Sequence, residues 1–458
     1  MKMKVVMKIG GGILRDEKAF HRVAEIIKAK IAGKEKVVVV ISALYGVTDL
    51  LIEDAKKCFQ GEKQIGKTVA ELKERHFKYL AHLPEKNRLK TEKEISGKLE
   101  VLKRFLYGAH YLKELSDRTE DMIMSFGERL SPFVLKAYLE DVGVKAEVFD
   151  AEKAGIRASG PFKAAVAEMH ETRKNLRKRL LPAMGKSVPI VAGYYGVDAK
   201  GNVKTFGRGG TDYSAGVVAA CIGAGRIEFW KDVDGFMTAN PEIVGKAEKI
   251  RGLSYEEAEE LGYIGAKIMH PKTVIPIRAK GIPLELKNVF RPLDKGTIVS
   301  GKKTRHEKIM KSVAMKEHLA AITIANQNRV ITPEFMEKVF HAIDSEQYKV
   351  EMIASSQTAV SFAVDEKIAG TVIEKLRAAN SQTEIISAQK GLALIGVVGE
   401  GMKGAKGIAA KIFSCLARKG VNIELISQGA GEINISALVN GKDAVKAVRA
   451  IHKEFIEA

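Results

Sequence analysis

Lys36-Val-Val-Val-Val-Ile41 sets the first limit on what this chain can fold into. A continuous β-branched run with no polar alternation describes a strand covered on both faces, the situation found in a parallel sheet sandwiched by helices. The neighbouring segments agree. Val5–Ile9 is a strand pattern that ends in Gly10-Gly11-Gly12, and a helical pattern follows from about Glu17 to Ala32. The valine run empties into Ser42-Ala-Leu-Tyr-Gly-Val-Thr-Asp49, a second loop opening a helix. Strand, glycine loop and helix in repetition describe βαβ units of an open parallel sheet. Ligands of such sheets sit beyond the carboxyl ends of the strands, where these loops lie.

Further strands are expected at Lys145–Phe149, Ser187–Ala192, Arg226–Lys231 and Pro283–Asn288. The Lys-, Glu- and Leu-rich stretch from about 62 to 120 reads as a helical excursion broken at Pro84. With 458 residues the chain exceeds one ordinary core and calls for two or three domains. Arg291–His306, polar and carrying Pro292 and Gly296, reads as a linker. Beyond it the texture changes to strand Ala320–Ala325, helix Pro333–Asp344, strands Lys349–Ser355 and Thr358–Val364, and helix Lys367–Ala379. Leu392–Val398, Ala405–Lys419, Asn422–Ser427, Glu432–Val439 and Ala444–Ile456 repeat that plan, so the tail is an internal duplication of small α+β modules. The expected division is 1–295, a linker at 296–309, and 310–458, the last parted at about 318–388 and 389–458.

A formal charge of +19 invites a nucleic-acid reading, but the lysines and arginines are spread along the chain and interleaved with glutamate, as in Glu71-Leu-Lys-Glu-Arg75. There is no aromatic-basic alternation of the kind that grips single strands. The surplus reads as a solvated lysine-rich surface that helps attract anionic substrates, with no nucleic-acid partner expected. No apolar run approaches the ~20 residues needed to span a bilayer, and no secretory core is seen at the start, so no membrane partner is expected either. Cys58, Cys221 and Cys415 are scattered and make neither a disulfide framework nor a metal site; a reducing cytoplasm is the simplest setting.

The chemistry concentrates in Thr205-Phe-Gly-Arg-Gly-Gly-Thr-Asp-Tyr-Ser-Ala215. Glycines let backbone approach a ligand because no Cβ intervenes, and a glycine turn feeding a helix N-terminus suits a phosphate or carboxylate. Arg208 offers a planar fork for such an anion, and Asp212 follows as a group that orients a lysine or a metal.

In order along the chain, Lys8-Ile-Gly-Gly11, Ser42-Ala…Gly46-Val-Thr48, Ser125-Phe-Gly-Glu-Arg-Leu-Ser131, Gly207-Arg-Gly-Gly-Thr-Asp-Tyr213, Trp230-Lys-Asp-Val-Asp-Gly235 and Gly265-Ala-Lys-Ile-Met-His-Pro271 resemble the motifs of aspartate kinases, members of the amino-acid kinases. The tail resembles their tandem ACT regulatory modules, most clearly at Gly399-Glu-Gly-Met-Lys-Gly-Ala-Lys-Gly407 and Ile426-Ser-Gln-Gly-Ala-Gly-Glu-Ile-Asn-Ile-Ser436. The resemblance implies an amino-acid kinase fold, an open mostly parallel sheet between helices, followed by two ferredoxin-like ACT modules. It implies phosphorylation of the side-chain carboxylate of L-aspartate by ATP with Mg2+, the first step towards lysine, threonine and methionine. A carboxylate with a pKa near ~4 is already ionised at neutral pH, so no base is needed. Catalysis then rests on positioning and charge neutralisation.

On that resemblance Lys8, beside Gly10 and Gly11, holds the transferring phosphoryl group, and Asp212 organises Lys8. Arg208 pairs with the α-carboxylate of aspartate and Glu128 with its α-ammonium; Thr48 and Thr211 offer hydroxyls to the substrate. Ser42, Lys231, Asp232, Met237, Glu242 and Lys267 are expected on the nucleotide side, while His270 is read as structural. No protein-held metal is expected. The chain departs from the family at Gly12 and Ile13, where two hydroxyls are usual, and at Lys231, Met237, Asn240 and Glu242 on the nucleotide rim. These departures leave open another acid or nucleotide, or a weakly active regulatory partner. The first repeat has Asn328-Arg-Val-Ile-Thr-Pro333 where a glycine-containing effector loop is usual, whereas the second keeps its glycine loop. The resemblance also implies an amino-acid effector at the ACT region, a homodimer or higher homo-oligomer, and exchange of residues about 310–316 into the second repeat.

Overall fold

The computed structural model describes residues 2–265, 268–301, 309–326, 330–344, 349–379 and 383–457, and the chain divides into two compact units. The first comprises residues up to 235 together with those from 268 to the end of the linker's first part. Its strands are β1 (Lys4–Ile9), β2 (Lys36–Ile41), β3 (Ala146–Phe149), β4 (Val188–Ala192), β5 (Arg226–Lys231), β6 (Leu284–Asn288) and β7 (Thr297–Val299). Within the sheet they run in the order β7-β6-β5-β1-β2-β4-β3. All neighbours are parallel except β6 and β7. Val37–Ile41 is buried throughout, as a strand covered on two faces must be.

Register is what positions the site. β1 and β2 pair from Lys4 with Lys36 to Ile9 with Ile41, so the Gly10–Gly12 and Ser42–Thr48 loops leave the sheet side by side. On the other flank Lys8 is paired with Phe229 and Ile9 with Trp230. The helix α1 (Glu17–Ala32) begins where Asp16 accepts a hydrogen bond from the Ala19 amide at 2.8 Å, a side-chain N-cap. The Lys- and Glu-rich excursion becomes α2 (Glu62–Phe77), α3 (Glu85–Leu112) and α4 (Asp117–Met124), with Pro84 capping the start of α3. Ile95, Leu99, Leu102 and Leu106 recur at helical spacing and bury one face of α3 in the main apolar core. Two further helices matter to the site, α5 (Phe126–Asp141) and α6 (Gly210–Ile222).

One expectation needs correcting. Thr297–Val299, within the span read as linker, is strand β7, antiparallel to β6, and Thr297 and Val299 are buried. Polarity and the Pro-Gly pattern concealed it, because the adjacent Gly296 is needed for a close backbone approach. A Cβ there would collide with the Leu286 carbonyl.

The second unit contains residues 236–265 and the described part of the tail. Packing therefore joins 236–265 to the C-terminal modules, although in sequence it precedes the linker. Its strands are β8 (Ser312–Asn326), β9 (Val350–Ser355), β10 (Val360–Asp365), β11 (Thr383–Val398), β12 (Ile423–Gln428) and β13 (Asn434–Asn440), in the order β9-β10-β8-β11-β13-β12. Strand β8 serves both repeats: Leu319–Ile324 pairs with β10, and Ser312–Lys316 pairs with Leu394–Val398 of β11. Two apolar clusters underlie the repeats, one built with helix Pro333–Asp344 and one with helices Ile408–Arg418 and Ala444–Phe455. Asn328, in the unusual loop of the first repeat, lies outside the described residues. Among the described residues no helix is long and apolar enough to cross a membrane.

Candidate functional site

Alternation along β1 turns Val5, Met7 and Ile9 into the main apolar core, which leaves Lys8 on the opposite face against α6. There its ammonium meets Asp212 Oδ1 at 2.6 Å, with Lys8 5% and Asp212 8% exposed. Asp212 lies in the first turn of α6, where the helix N-terminus favours negative charge. Burial pushes its carboxyl upward, but Lys8, Lys231 and the His270 backbone amide outweigh that and hold it below the usual carboxylate range.

Glu128, in the first turn of α5, faces the same region and is buried. Thr211 Oγ1 donates to its Oε1 at 3.2 Å, while Oε2 has no hydrogen-bond partner among the described residues. Burial raises this carboxyl to about 7, with Ala43's amide, Thr211 and Lys8 pulling against it. A buried carboxyl with a raised proton affinity and one oxygen unpartnered among the described residues is poised for a cationic group.

The glycine turn before α6 is also constrained by packing. Gly209 adopts φ +74°, and a Cβ there would collide with the His270 ring; a Cβ on Gly210 would lie 2.8 Å from Tyr194 Cδ2. Packing on His270 and Tyr194 requires these glycines. The His270 ring forms a wall of the turn. Gly10 and Gly11 do shape the loop beyond β1. A Cβ on Gly11 would stand 2.6 Å from the Ala43 carbonyl oxygen, and one on Gly10 would stand 3.1 Å from Lys8 Nζ. Gly12 has open space around it, whereas Ile13 is buried in the core. The missing hydroxyl at position 13 thus belongs to packing.

Arg208 projects from the turn into solvent and makes no ion pair among the described residues. Ser42 is half-buried; its amide donates to the Ile9 carbonyl at 3.1 Å and its carbonyl accepts from Ser131 Oγ at 2.7 Å. Thr48 is half-buried in the first turn of the helix Val47–Lys57, whose N-cap is Gly46. Lys231 ends β5, and Asp232 just beyond it is exposed. Asp234 is bound to Asn288 Nδ2 at 2.7 Å and to Arg291, so that turn is tied down by its own neighbours.

Lys8, Gly10, Gly11, Ser42, Thr48, Glu128, Arg208, Thr211, Asp212, Lys231 and Asp232 all belong to the first unit, on strand ends, loops and helix starts. Met237 and Glu242 belong to the second. The Met237 carbonyl accepts from Ser312 Oγ at 2.8 Å, and Glu242 is exposed and bonded to Asn240 at 3.4 Å. Lys267 lies outside the described residues.

Sequence reasoning missed Asp121. This fully buried carboxylate of α4 accepts from the Thr205 amide at 2.9 Å, the Thr205 hydroxyl at 2.7 Å and the Lys163 amide at 3.0 Å. It anchors the strand that delivers Arg208. Nothing in the local sequence separates it from Asp117 and Glu120 on the same helix. Tyr194 was also missed; its φ of +78° is rare for a side chain that large and places its ring under the glycine turn.

The model of the amino acid kinase family matches residues 3–288, and an ACT domain model matches residues 395–455. Aspartokinase 1, chloroplastic, of Arabidopsis thaliana is 31% identical across 99% of this chain and 80% of its own. The chain belongs to the amino acid kinase family, among the aspartokinases. Lysine-sensitive aspartokinase 3 of Escherichia coli is 27% identical over 99% of both chains. The E. coli aspartokinase III structure in complex with aspartate and ADP superimposes with a TM-score of 0.83 at 27% identity, covering 98% of this chain and 99% of that one.

Proposed function

We propose that this aspartokinase transfers the γ-phosphoryl group of ATP to the side-chain carboxylate of L-aspartate, yielding 4-phospho-L-aspartate and ADP. The observation that carries the reading is the buried Lys8–Asp212 pair at the rim of a parallel sheet, facing a Glu128 whose Oε2 has no partner among the described residues. The E. coli relative that holds aspartate and ADP supports the choice of both substrates.

The residues divide the task. Glu128 takes the α-ammonium of aspartate, Arg208 takes its α-carboxylate with a bidentate fork, and Thr48 and Thr211 fix its orientation. The side-chain carboxylate is then free and already ionised. Its oxygen forms a bond to the γ-phosphorus as the bond from phosphorus to the ADP oxygen breaks, and no proton has to move. Lys8 neutralises the transferring group, while Asp212 keeps its amine aimed. The cradle fits a polyphosphate because Gly10 leaves room for the ammonium to fold over the loop. Ser42, Lys231 and Asp232 lie on the nucleotide side. Met237, Glu242 and Lys267 are assigned there by their motifs alone. The magnesium that screens the phosphates would arrive with the nucleotide. An amino-acid effector at the ACT modules and a homodimer complete the proposal. The lysine- and aspartate-bound E. coli structure, with a TM-score of 0.82, supports the effector.

Trapping the acyl phosphate with hydroxylamine, over a panel of amino acids and nucleotides, tests the reading. Hydroxamate should form from aspartate with ATP and disappear in Asp212→Asn. Hydroxamate formed from another acid, or from none, overturns it.

A further inference from the structure

Lys231, like Arg208, is a cation of the site that makes no ion pair among the described residues. Because Ile9 is paired with Trp230, the register carries Lys231 alongside Gly10, the residue over which Lys8 folds. A Cβ on Gly10 would stand 3.1 Å from Lys8 Nζ and 3.9 Å from the Trp230 carbonyl oxygen, so the two lysines flank the same loop from adjacent strands. Lys8 engages Asp212 at 2.6 Å, whereas the ammonium of Lys231 makes no ion pair or hydrogen bond among the described residues.

The charged groups around it are Lys8 from β1, Asp212 from α6 and Asp232 at its own strand end; β6 presents the uncharged Asn288 opposite it. Both ammonium groups act electrostatically on the one buried carboxylate of Asp212, Lys8 in direct contact. Burial and the neighbouring Lys8 lower the proton affinity of Lys231, and Asp212 and Asp232 only partly offset this. Such an arrangement is unfavourable in the free protein and becomes favourable when an anion arrives.

We propose that Lys231 is a second catalytic cation, which shares with Lys8 the charge on the phosphoryl oxygens as the group passes from ATP to the acceptor carboxylate. This rests on the acyl-phosphate reading above and gives Lys231 a part in the transfer itself, beyond nucleotide binding. Preorganised charge aimed where charge develops acts on the turnover step more than on ground-state binding.

Lys231→Met keeps the aliphatic stem and removes the charge, and Lys231→Arg keeps the charge. The hydroxamate assay should show kcat falling about 10²–10³-fold in Lys231→Met, with the KM for aspartate within about twofold and the melting temperature unchanged or raised. Lys231→Arg should retain more than about a tenth of the wild-type kcat. An alkaline limb in the wild-type kcat profile, from loss of the Lys231 proton, should move to higher pH in Lys231→Arg. A Lys231→Met enzyme with kcat within about threefold of wild type and the same alkaline limb overturns the inference. If Lys231→Met fails to fold, the position of the limb in Lys231→Arg decides. If wild type traps no hydroxamate from any acid, the functional reading fails. Calorimetric titration with ATP then decides Lys231 separately, since affinity unchanged between wild type and Lys231→Met overturns its role at the phosphates.

Discussion

Replacing Glu128 by Gln should make the free enzyme more stable at neutral pH while weakening aspartate binding. Glu128 is 3% exposed, and burial raises its carboxyl from 4.5 to about 7. The folded protein therefore holds this proton more tightly than the unfolded chain, so stability falls as pH rises between the two values and levels off above about 7. Each pH unit is worth about 1.4 kcal/mol, which puts the full cost of ionising Glu128 in place at about 3 kcal/mol, with most of it appearing between pH 5 and pH 8. Glutamine keeps the acceptor for Thr211 and removes the titration. Denaturant unfolding of wild type and Glu128→Gln, without substrate, should give curves that diverge by about 2–3 kcal/mol from pH 5 to pH 8, the variant gaining. Aspartate should reverse the trend in the wild type, because its ammonium pairs with the ionised form. The KM for aspartate should fall by up to about tenfold per pH unit on approach to pH 7 and then flatten. In Glu128→Gln it should be high and insensitive to pH. Parallel stability profiles, or an aspartate KM with the same pH dependence in both proteins, would refute the argument.

Arg208→Ala should raise the aspartate KM about ten- to a hundredfold, as one charged hydrogen-bond partner is worth about 1.5–3 kcal/mol. Its exposure in the free protein means that thermal stability should not change. Steady-state kinetics with a melting curve check both halves. Gly209→Ala should cost about 2–4 kcal/mol, since it combines a left-handed φ with a collision against His270; calorimetry that shows no loss would contradict the packing. Asp121→Asn turns an amide donor towards backbone N–H groups. It should destabilise the Thr205 strand by about 1–3 kcal/mol, seen as faster hydrogen exchange at Thr205 and Lys163 and a higher aspartate KM.

Much of the architecture was legible because the signals were local. The valine run Lys36–Ile41 and the caps around Glu17–Ala32 specify their elements without reference to the rest of the chain. The helix Pro333–Asp344 and the strand Arg226–Lys231 appear with the bounds their patterns suggest. Strand β7, and the continuity of β8 from Ser312 through Asn326, were not legible, since a partner strand rather than side-chain periodicity decides where a ladder runs. The same holds within the site. Lys8, Arg208 and Asp212 announce themselves by charge next to glycine, but Asp121 looks like any helical aspartate until the fold brings Thr205 and Lys163 to it.

The sequence by itself determined the residue types and their order: two strand-end lysines, a glycine turn with Arg and Asp around it, and a duplicated tail. Only the tertiary structure decided which of these meet. It paired Lys8 with Asp212, left Glu128 Oε2 and the Lys231 ammonium without partners among the described residues, and assigned Gly209 and Ile13 to packing. The reason is physical. Strand register and burial set distances and proton affinities between groups hundreds of residues apart, and neither quantity is encoded in any local stretch of chain.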